Sequence, residues 1–357
     1  MQTSPAHPRK LAPSIAILCA VAAALAACGS RKDAPPTKPN TLPIEQSQSA
    51  EPAAVDTSGR GPTRVEMVNV DIHLDPALIL RIHYLSGQFL STRKGRPPAF
   101  DDKLSYIVSI DSAEVAVSAA SMTHALNTYV FNQPGSPLKN LTLTIEGNQI
   151  KQTGTLNKGP GIPFEMIGVM SPTADGKIRI QSTKVKAEHL PVRGLMKLLG
   201  MDMAKLMNAH KTKGVSVEGD DIILDPTLML PPPMMRGRIT AVTLQGDQIV
   251  QTFGAPRKFR PSKPADGNYM WYRGGVLQFG KLTMNDTDMQ LIDAEPADPF
   301  DFFPDHYKDQ LVAGYSKTTV TGGLQVYMPD YDKISRPLSP RVEIRTPHRT
   351  QPASGLR

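Results

Sequence analysis

The densest set of groups able to do polar chemistry lies in EPADPFDFFPDHY, residues 295–307. It places Glu295, Asp298, Asp301, Asp305 and His306 close together. Carboxylates at this density are the ligands a hard cation takes. The spacing is not that of an EF-hand loop, which needs ligands at alternate positions and a glycine at the bend. The competing reading is a surface loop in which Asp-Pro steps make turns and Phe300, Phe302 and Phe303 point inward, and the spacing favours it. Asp286 and Asp288 read as a hairpin turn and an outward strand position. His73, His83, His124, His189, His210 and His306 never fall into an HExxH-type spacing. Ser121 and Ser182 have no GxSxG context, and neither a GxGxxG fingerprint nor a Walker A loop occurs. No cofactor, metal site or catalytic residue is therefore expected, although triad members can be distant in sequence.

One reactive group does sit in a recognisable setting. Arg9 and Lys10 precede an apolar run from Ile15 to Leu25, too short and too alanine-rich for a permanent membrane span. The run ends in LAACGS, which looks like a bacterial lipobox: small Ala26 and Ala27 fit a signal peptidase, and the Cys28 thiol would carry the lipid anchor. An ordinary signal peptide with an incidental cysteine is the alternative. The lipobox reading implies a signal peptide over 1–27, an acyl (diacylglyceryl and palmitate) anchor on Cys28, and a cell-envelope address. Gly29, not being Asp, carries no inner-membrane retention signal, so the expected place is the outer membrane facing the periplasm, where the organism has one. Cys19 would leave with the signal, so the mature chain makes no disulfide and its stability must come from a core.

Removing Arg9 and Lys10 takes Lys+Arg from 40 to 38 against 33 acids, a formal charge of about +5. These charges are dispersed and aromatic residues are few, so nucleic acid is not expected as a partner. Residues 28–63 form a flexible Pro/Ser/Ala-rich tether, 64–334 a folded domain with 255–334 as an extension of its sheet, and 335–357 a loosely ordered tail.

The elements that would position any site are mostly strands. LTLTIEGNQIKQTG (141–154) and VTLQGDQIVQTFG (242–254) both alternate, and both break at a turn pair, Gly147-Asn148 and Gly246-Asp247. They share the order Thr, apolar, polar, Gly, Asn/Asp, Gln, Ile, variable, Gln, Thr. DIHLDPALIL (71–80) and DIILDPTLML (221–230) are a second echo, so one sheet-building unit is used more than once or short strand-turn segments resemble each other by chance. Further strands are expected at 104–110, 161–170, 177–187, 215–219, 275–284 and 287–293, with Asn285-Asp286 as a turn. Two amphipathic helices are expected. One starts at Asp111 or Ser112 and carries Val115, Ala119, Met122, Leu126 and Val130. The other spans 191–210 with Leu195, Leu198, Leu199, Met203, Leu206 and Met207 on one stripe. A weaker third runs over 305–313. The fold class expected is α+β: a strongly curved antiparallel sheet wrapped around a long amphipathic helix.

GIPFEMIGVMSPTADGKIRIQSTKVKAEHLPVRGLMKLLGMDMAKLM (161–207), followed by GVSVEGDDIILDPTLMLPPPMMRGRITAV (214–242), resembles bacterial secreted proteins of the lipomannan-elongation-factor-like group. These belong to the tubular lipid-binding superfamily. The resemblance covers roughly residues 105–254 and implies an elongated fold that holds lipid between a curved sheet and a helix, with no catalytic residue. Methionines cluster between 196 and 235, and their flexible, polarizable side chains suit acyl chains of varying length. The groove candidates are Leu195, Leu199, Met203, Leu206, Leu228, Leu230, Met234 and Met235. Pro231 to Pro233 lack ladder donors and force a rim crossing before the next strand starts near Arg238. The function expected is an envelope lipoprotein, not an enzyme, that binds or shuttles lipid or lipid-linked glycan precursors. A non-catalytic scaffold for envelope proteins is the alternative.

Overall fold

Alternating and β-branched runs dominate the chain from Thr63 onward, and they fold as strands. The computed structural model describes residues 61–157, 159–187, 214–219, 221–255 and 267–334. One sheet is built from β1 (Thr63–Asp75), β2 (Leu78–Ser91), β3 (Tyr106–Ser118), β10 (Met234–Arg236), β11 (Ile239–Gln245), β12 (Gln248–Gly254), β13 (Tyr269–Phe279), β14 (Leu282–Asp293), β15 (Phe300–Phe302), β16 (Tyr315–Thr318) and β17 (Leu324–Met328). Its strand order is β11-β12-β3-β2-β1-β13-β14-β17-β16, with β10 added to β3 and β15 to β1. The second sheet has the order β4-β5-β6-β7-β9-β8, from Leu138–Glu146, Gln149–Leu156, Ile162–Pro172, Ile178–Ala187, Asp221–Leu224 and Val215–Glu218. Pairing is antiparallel except where β10 joins β3, β15 joins β1 and β17 joins β14.

The two echoed hairpins form as expected, and each occupies an edge. β4-β5 closes through Gly147-Asn148 at one end of the smaller sheet, and β11-β12 closes through Gly246-Asp247 at one end of the larger. Gly147 has φ 65° and Gly246 φ 60°, while the following residue keeps a negative φ; this is the II′ pattern that matches the twist of paired strands. The second echo shares turn chemistry but not architecture. Asp75 Oδ1 accepts the N–H groups of Ala77 and Leu78 at 2.7 and 2.8 Å, closing the β1-β2 hairpin. Asp225 Oδ1 accepts the Thr227 N–H at 3.1 Å and instead starts a one-turn helix, α2 (Pro226–Met229).

The α+β architecture expected from the sequence is overturned. The described residues are mostly β, their helices are short, and no sheet wrapped around a long amphipathic helix is present among them. The helix expected from Asp111 or Ser112 begins only at Ser118, whose side chain accepts the Ser121 N–H. It runs as α1 (Ala119–Ala125) and then as a π-helical turn over Leu126–Val130. Residues 112–118 extend β3 because AEVAVS also alternates. As a strand it pairs with β2 on one side and β12 on the other, which satisfies backbone groups a helix would have satisfied alone. The helix expected over 191–210 lies outside the described residues. The third helix forms as α3 (Tyr307–Ala313) behind a 3₁₀ turn at Pro304–His306. The turn expected at Asn285-Asp286 is misplaced: β13 and β14 are joined at Gly280-Lys281. Gly275 and Asp286, both at positive φ, interrupt the ladder midway.

Gly254 ends β12 at φ 69°, and a Cβ there would lie 2.0 Å from the Asp111 carbonyl oxygen; Gly246 has a similar φ but open space. Gly254→Ala should therefore lower stability by at least about 3 kcal/mol, from backbone strain and overpacking together. Gly246→Ala should cost about 1 kcal/mol from backbone strain alone. Urea unfolding of both variants checks the difference; equal losses would contradict it.

Candidate functional site: two apolar pockets

Two pockets abut along α1 and the π-helical turn that continues it. The first lies over β2, β3 and β12 and is covered by α2 and the segment that follows. Ile82, Val115, Met122, Met229, Leu230 and Met235 are among the side chains that line it, and its free volume is about 40 Å³. The second lies against the smaller sheet, where Leu126, Phe131, Leu143, Ile180, Val217 and Leu224 contribute, with a free volume of about 30 Å³. Met122 belongs to one pocket and Leu126 to the other, one helical turn apart. Each pocket has room for about three water-sized groups.

The local sequence explains the cover of the first pocket. Pro226 fits the first turn of α2, and the Pro231 to Pro233 run cannot continue into a ladder. The chain therefore crosses open space and rejoins the sheet at β10, where Met234, Met235 and Arg236 pair in parallel with Ile107, Val108 and Ser109. The strand expected to start near Arg238 is β11, from Ile239, and the short β10 is an addition before it, formed because one free stretch of the β3 edge remains below the part occupied by β12. The crossing leaves Leu228 50% exposed and Met234 36% exposed at the rim, while Leu230 and Met235 turn into the pocket.

Of the groove residues expected from sequence, the structure thus brings Leu230 and Met235 into a pocket wall and places Leu228 and Met234 outside it. Leu195, Leu199, Met203, Leu206 and Cys28 lie outside the described residues. Sequence reading missed the wall supplied by the large sheet and missed the second pocket entirely. It also missed the one strongly polar residue in each. Gln152 on β5 lines the second pocket and Gln251 on β12 lines the first, 6% and 4% exposed. The signal was present: both are the second Gln of the shared Gln-Ile-variable-Gln-Thr order.

Other polar clusters have their groups engaged. In the 295–307 segment Phe300, Phe302 and Phe303 are buried, as the loop reading required, and Phe302 joins a ring cluster with Phe100 and Tyr307. Asp298 and Glu295 face Lys333 at 3.4 and 3.8 Å, Asp305 meets Lys103 at 2.7 Å, and Asp301 pairs with His73. No group of three potential metal ligands occurs among the described residues. Trp271 lines an open cleft, but its indole N–H donates to Asp288 at 2.9 Å, and the Arg273 guanidinium, paired with Glu66, sits 3.8 Å over the ring.

Asp75, His124 and Ser121 have the residue types of a hydrolase triad without its connections. The Ser121 hydroxyl donates to the Ala77 carbonyl at 3.2 Å and accepts the Ile79 N–H at 3.3 Å, so it is committed to the chain. His124 Nε2 lies 2.9 Å from Asp75 Oδ2, to which the Tyr129 hydroxyl also donates. This hub ties the β1-β2 turn to the helix that separates the pockets. Burial works against the Asp75 charge, but the Tyr129 hydroxyl, the Ala77 N–H and His124 outweigh it and hold its pKa below the usual value. Burial and the bond to Asp75 push the Tyr129 hydroxyl up to about 12.

Comparison with known proteins finds no matching family model, no matching curated protein and no matching solved structure. No helix among the described residues is long and apolar enough to cross a membrane.

Because the folded pKa of Asp75 is depressed, its stabilising contribution is present above the unfolded carboxylate value and is lost as pH falls through the folded one. Wild-type stability should therefore drop more steeply than that of Asp75→Asn on acidification below about pH 4. Urea midpoints measured across that range check it, and parallel curves would refute it.

Proposed function

We propose that this chain is an acylated envelope lipoprotein that binds the alkyl chains of a lipid, as a carrier or accessory factor in envelope assembly. The observation that carries the reading is the first pocket: an apolar wall on the large sheet, covered by the Met- and Pro-rich crossing, with Leu228 and Met234 exposed at its rim. Burying each methylene is worth about 0.8 kcal/mol, so even a few methylenes held there would favour binding. Met122, Met229 and Met235 flank the space, and methionine side chains can turn aside to lengthen it. The membrane anchor is assigned to Cys28 on the strength of LAACGS alone.

The small free volumes favour one competing reading, a structural lipoprotein with a packed core that binds envelope proteins. The two readings differ in a direct measurement. The lipid reading expects copurifying lipid in native mass spectra of the gently purified full chain, and saturable uptake of a fluorescent acyl probe. It also expects Leu230→Trp to weaken that uptake about tenfold, about 1.4 kcal/mol, while Leu282→Trp, on an exposed β14 position, leaves it unchanged. Absence of both copurifying lipid and probe uptake would favour the packed scaffold.

A further inference from the structure

We propose that one end of the large sheet docks on the headgroups of an anionic bilayer. Three segments come together there: the β2-β3 loop (92–105), the Gly280-Lys281 turn between β13 and β14, and the 304–313 segment. The part of β13 that runs past the start of β1 joins the first two. Its Gln278 carbonyl accepts the Phe100 N–H at 2.8 Å, and the Gln278 N–H donates to the Pro98 carbonyl at 2.9 Å. Ion pairs hold the third segment to the loop, Lys103 to Asp305 at 2.7 Å and Lys308 to Asp101 at 3.8 Å. The Phe279 and Tyr307 rings, 5.2 Å apart, close the contact with the hairpin.

The charges of this end do not cancel. Asp102 meets Arg93 at 2.7 Å and Asp309 lies 3.4 Å from His306, so each acid of the three segments already has a basic partner. Lys94, Arg96 and Lys281 remain exposed, with no ion pair among the described residues. Leu104 is 66% exposed on the same loop, and its backbone is held in place. Its carbonyl accepts the Thr92 hydroxyl at 2.7 Å, and its N–H donates to Asp102 Oδ1 at 3.1 Å. An apolar side chain on a fixed loop among cations suits a bilayer surface, where the leucine enters the interface and the cations meet phosphates. Each cation held at an anionic surface strengthens binding about fivefold. The course of the chain selects a bilayer over an acidic protein. Thr63 pairs with Phe89 near the end of β2, and a Cβ on Gly275 would lie 2.8 Å from the Gly61 carbonyl oxygen. The segment that leads back to Cys28 therefore joins the sheet at this end, between the loop and the β13-β14 hairpin. This last step rests on the anchored-lipoprotein reading and adds the surface that the folded part contacts.

The test is flotation of the purified full chain with vesicles of phosphatidylcholine alone and of its equimolar mixture with phosphatidylglycerol. The chain should bind the mixed vesicles about a hundredfold more tightly, from three cations together, and high salt should remove most of that preference. Lys94→Gln, Arg96→Gln and Lys281→Gln combined should lose the preference with Tm unchanged, since the three side chains hold nothing in the fold. Leu104→Ser should weaken binding to both vesicle types by a factor that salt does not alter. A matched trio on the smaller sheet, Lys139→Gln, Lys184→Gln and Lys186→Gln, removes the same charge and should keep the preference. Equal losses in the two trios would mean that net charge alone draws the chain to the bilayer, and would overturn the docking end. Equal binding of the wild-type chain to the two vesicle types would overturn it as well. Intact mass of the same samples reports acylation of Cys28. An unacylated chain that keeps the preference removes the anchor and leaves the docking end, and an acylated chain without it does the reverse.

Discussion

The edge of β3 is the constraint on which the rest of the arrangement depends. A strand of 13 residues with ladder groups on both sides must find partners along its whole length. β2 fills one side. The other side is shared, with β12 against Ser112–Ser118 and β10 against Ile107–Ser109. That division pulls the chain after α2 across the sheet and down onto the free stretch of edge. The proline run makes the crossing possible because it requires no ladder partners of its own. An apolar space is left between the crossing and the sheet.

The same strand decides where the helix begins. Had β3 stopped at Ile110, its last residues would have coiled and the β12 edge would have gone unpaired. Instead the strand continues to Ser118, and the helix starts at a position where Met122 faces the large sheet and Leu126 the small one. The helical turn is thus a partition between two apolar spaces, held to the β1-β2 turn by Asp75, His124 and Tyr129. Function, on this view, depends on a short partition and two sheet edges, in place of a long helix within one curved sheet.

Particular residues show how far local pattern reaches. Gly147-Asn148 and Gly246-Asp247 fixed two hairpins because a two-residue turn is decided by its own backbone angles. The inward phenylalanines of 300–303 were legible because Asp-Pro steps and alternation leave them one way to turn. The segment 112–118 was not legible, since alanine and valine there satisfy both a helical stripe and a strand alternation, and only pairing with distant β2 and β12 resolves the tie. Asn285-Asp286 misled because a turn pair within a long strand can be absorbed as an irregularity when the flanking ladder is strong.

By itself the sequence determined the local chemistry: the lipobox-like cysteine, the II′ turns, the Asp-Pro turns and the proline crossing that could not be a central strand. It also held both glutamines in a visible repeat, but without any indication that they were buried. Only the tertiary structure decided that the repeat sits at one edge of each of two sheets, and that each glutamine lines an apolar pocket. The physical reason is that turns answer to angles within a few residues. The burial of a strand position depends on which distant segment covers its face, and that is settled by the competition of all the strands for the same edges.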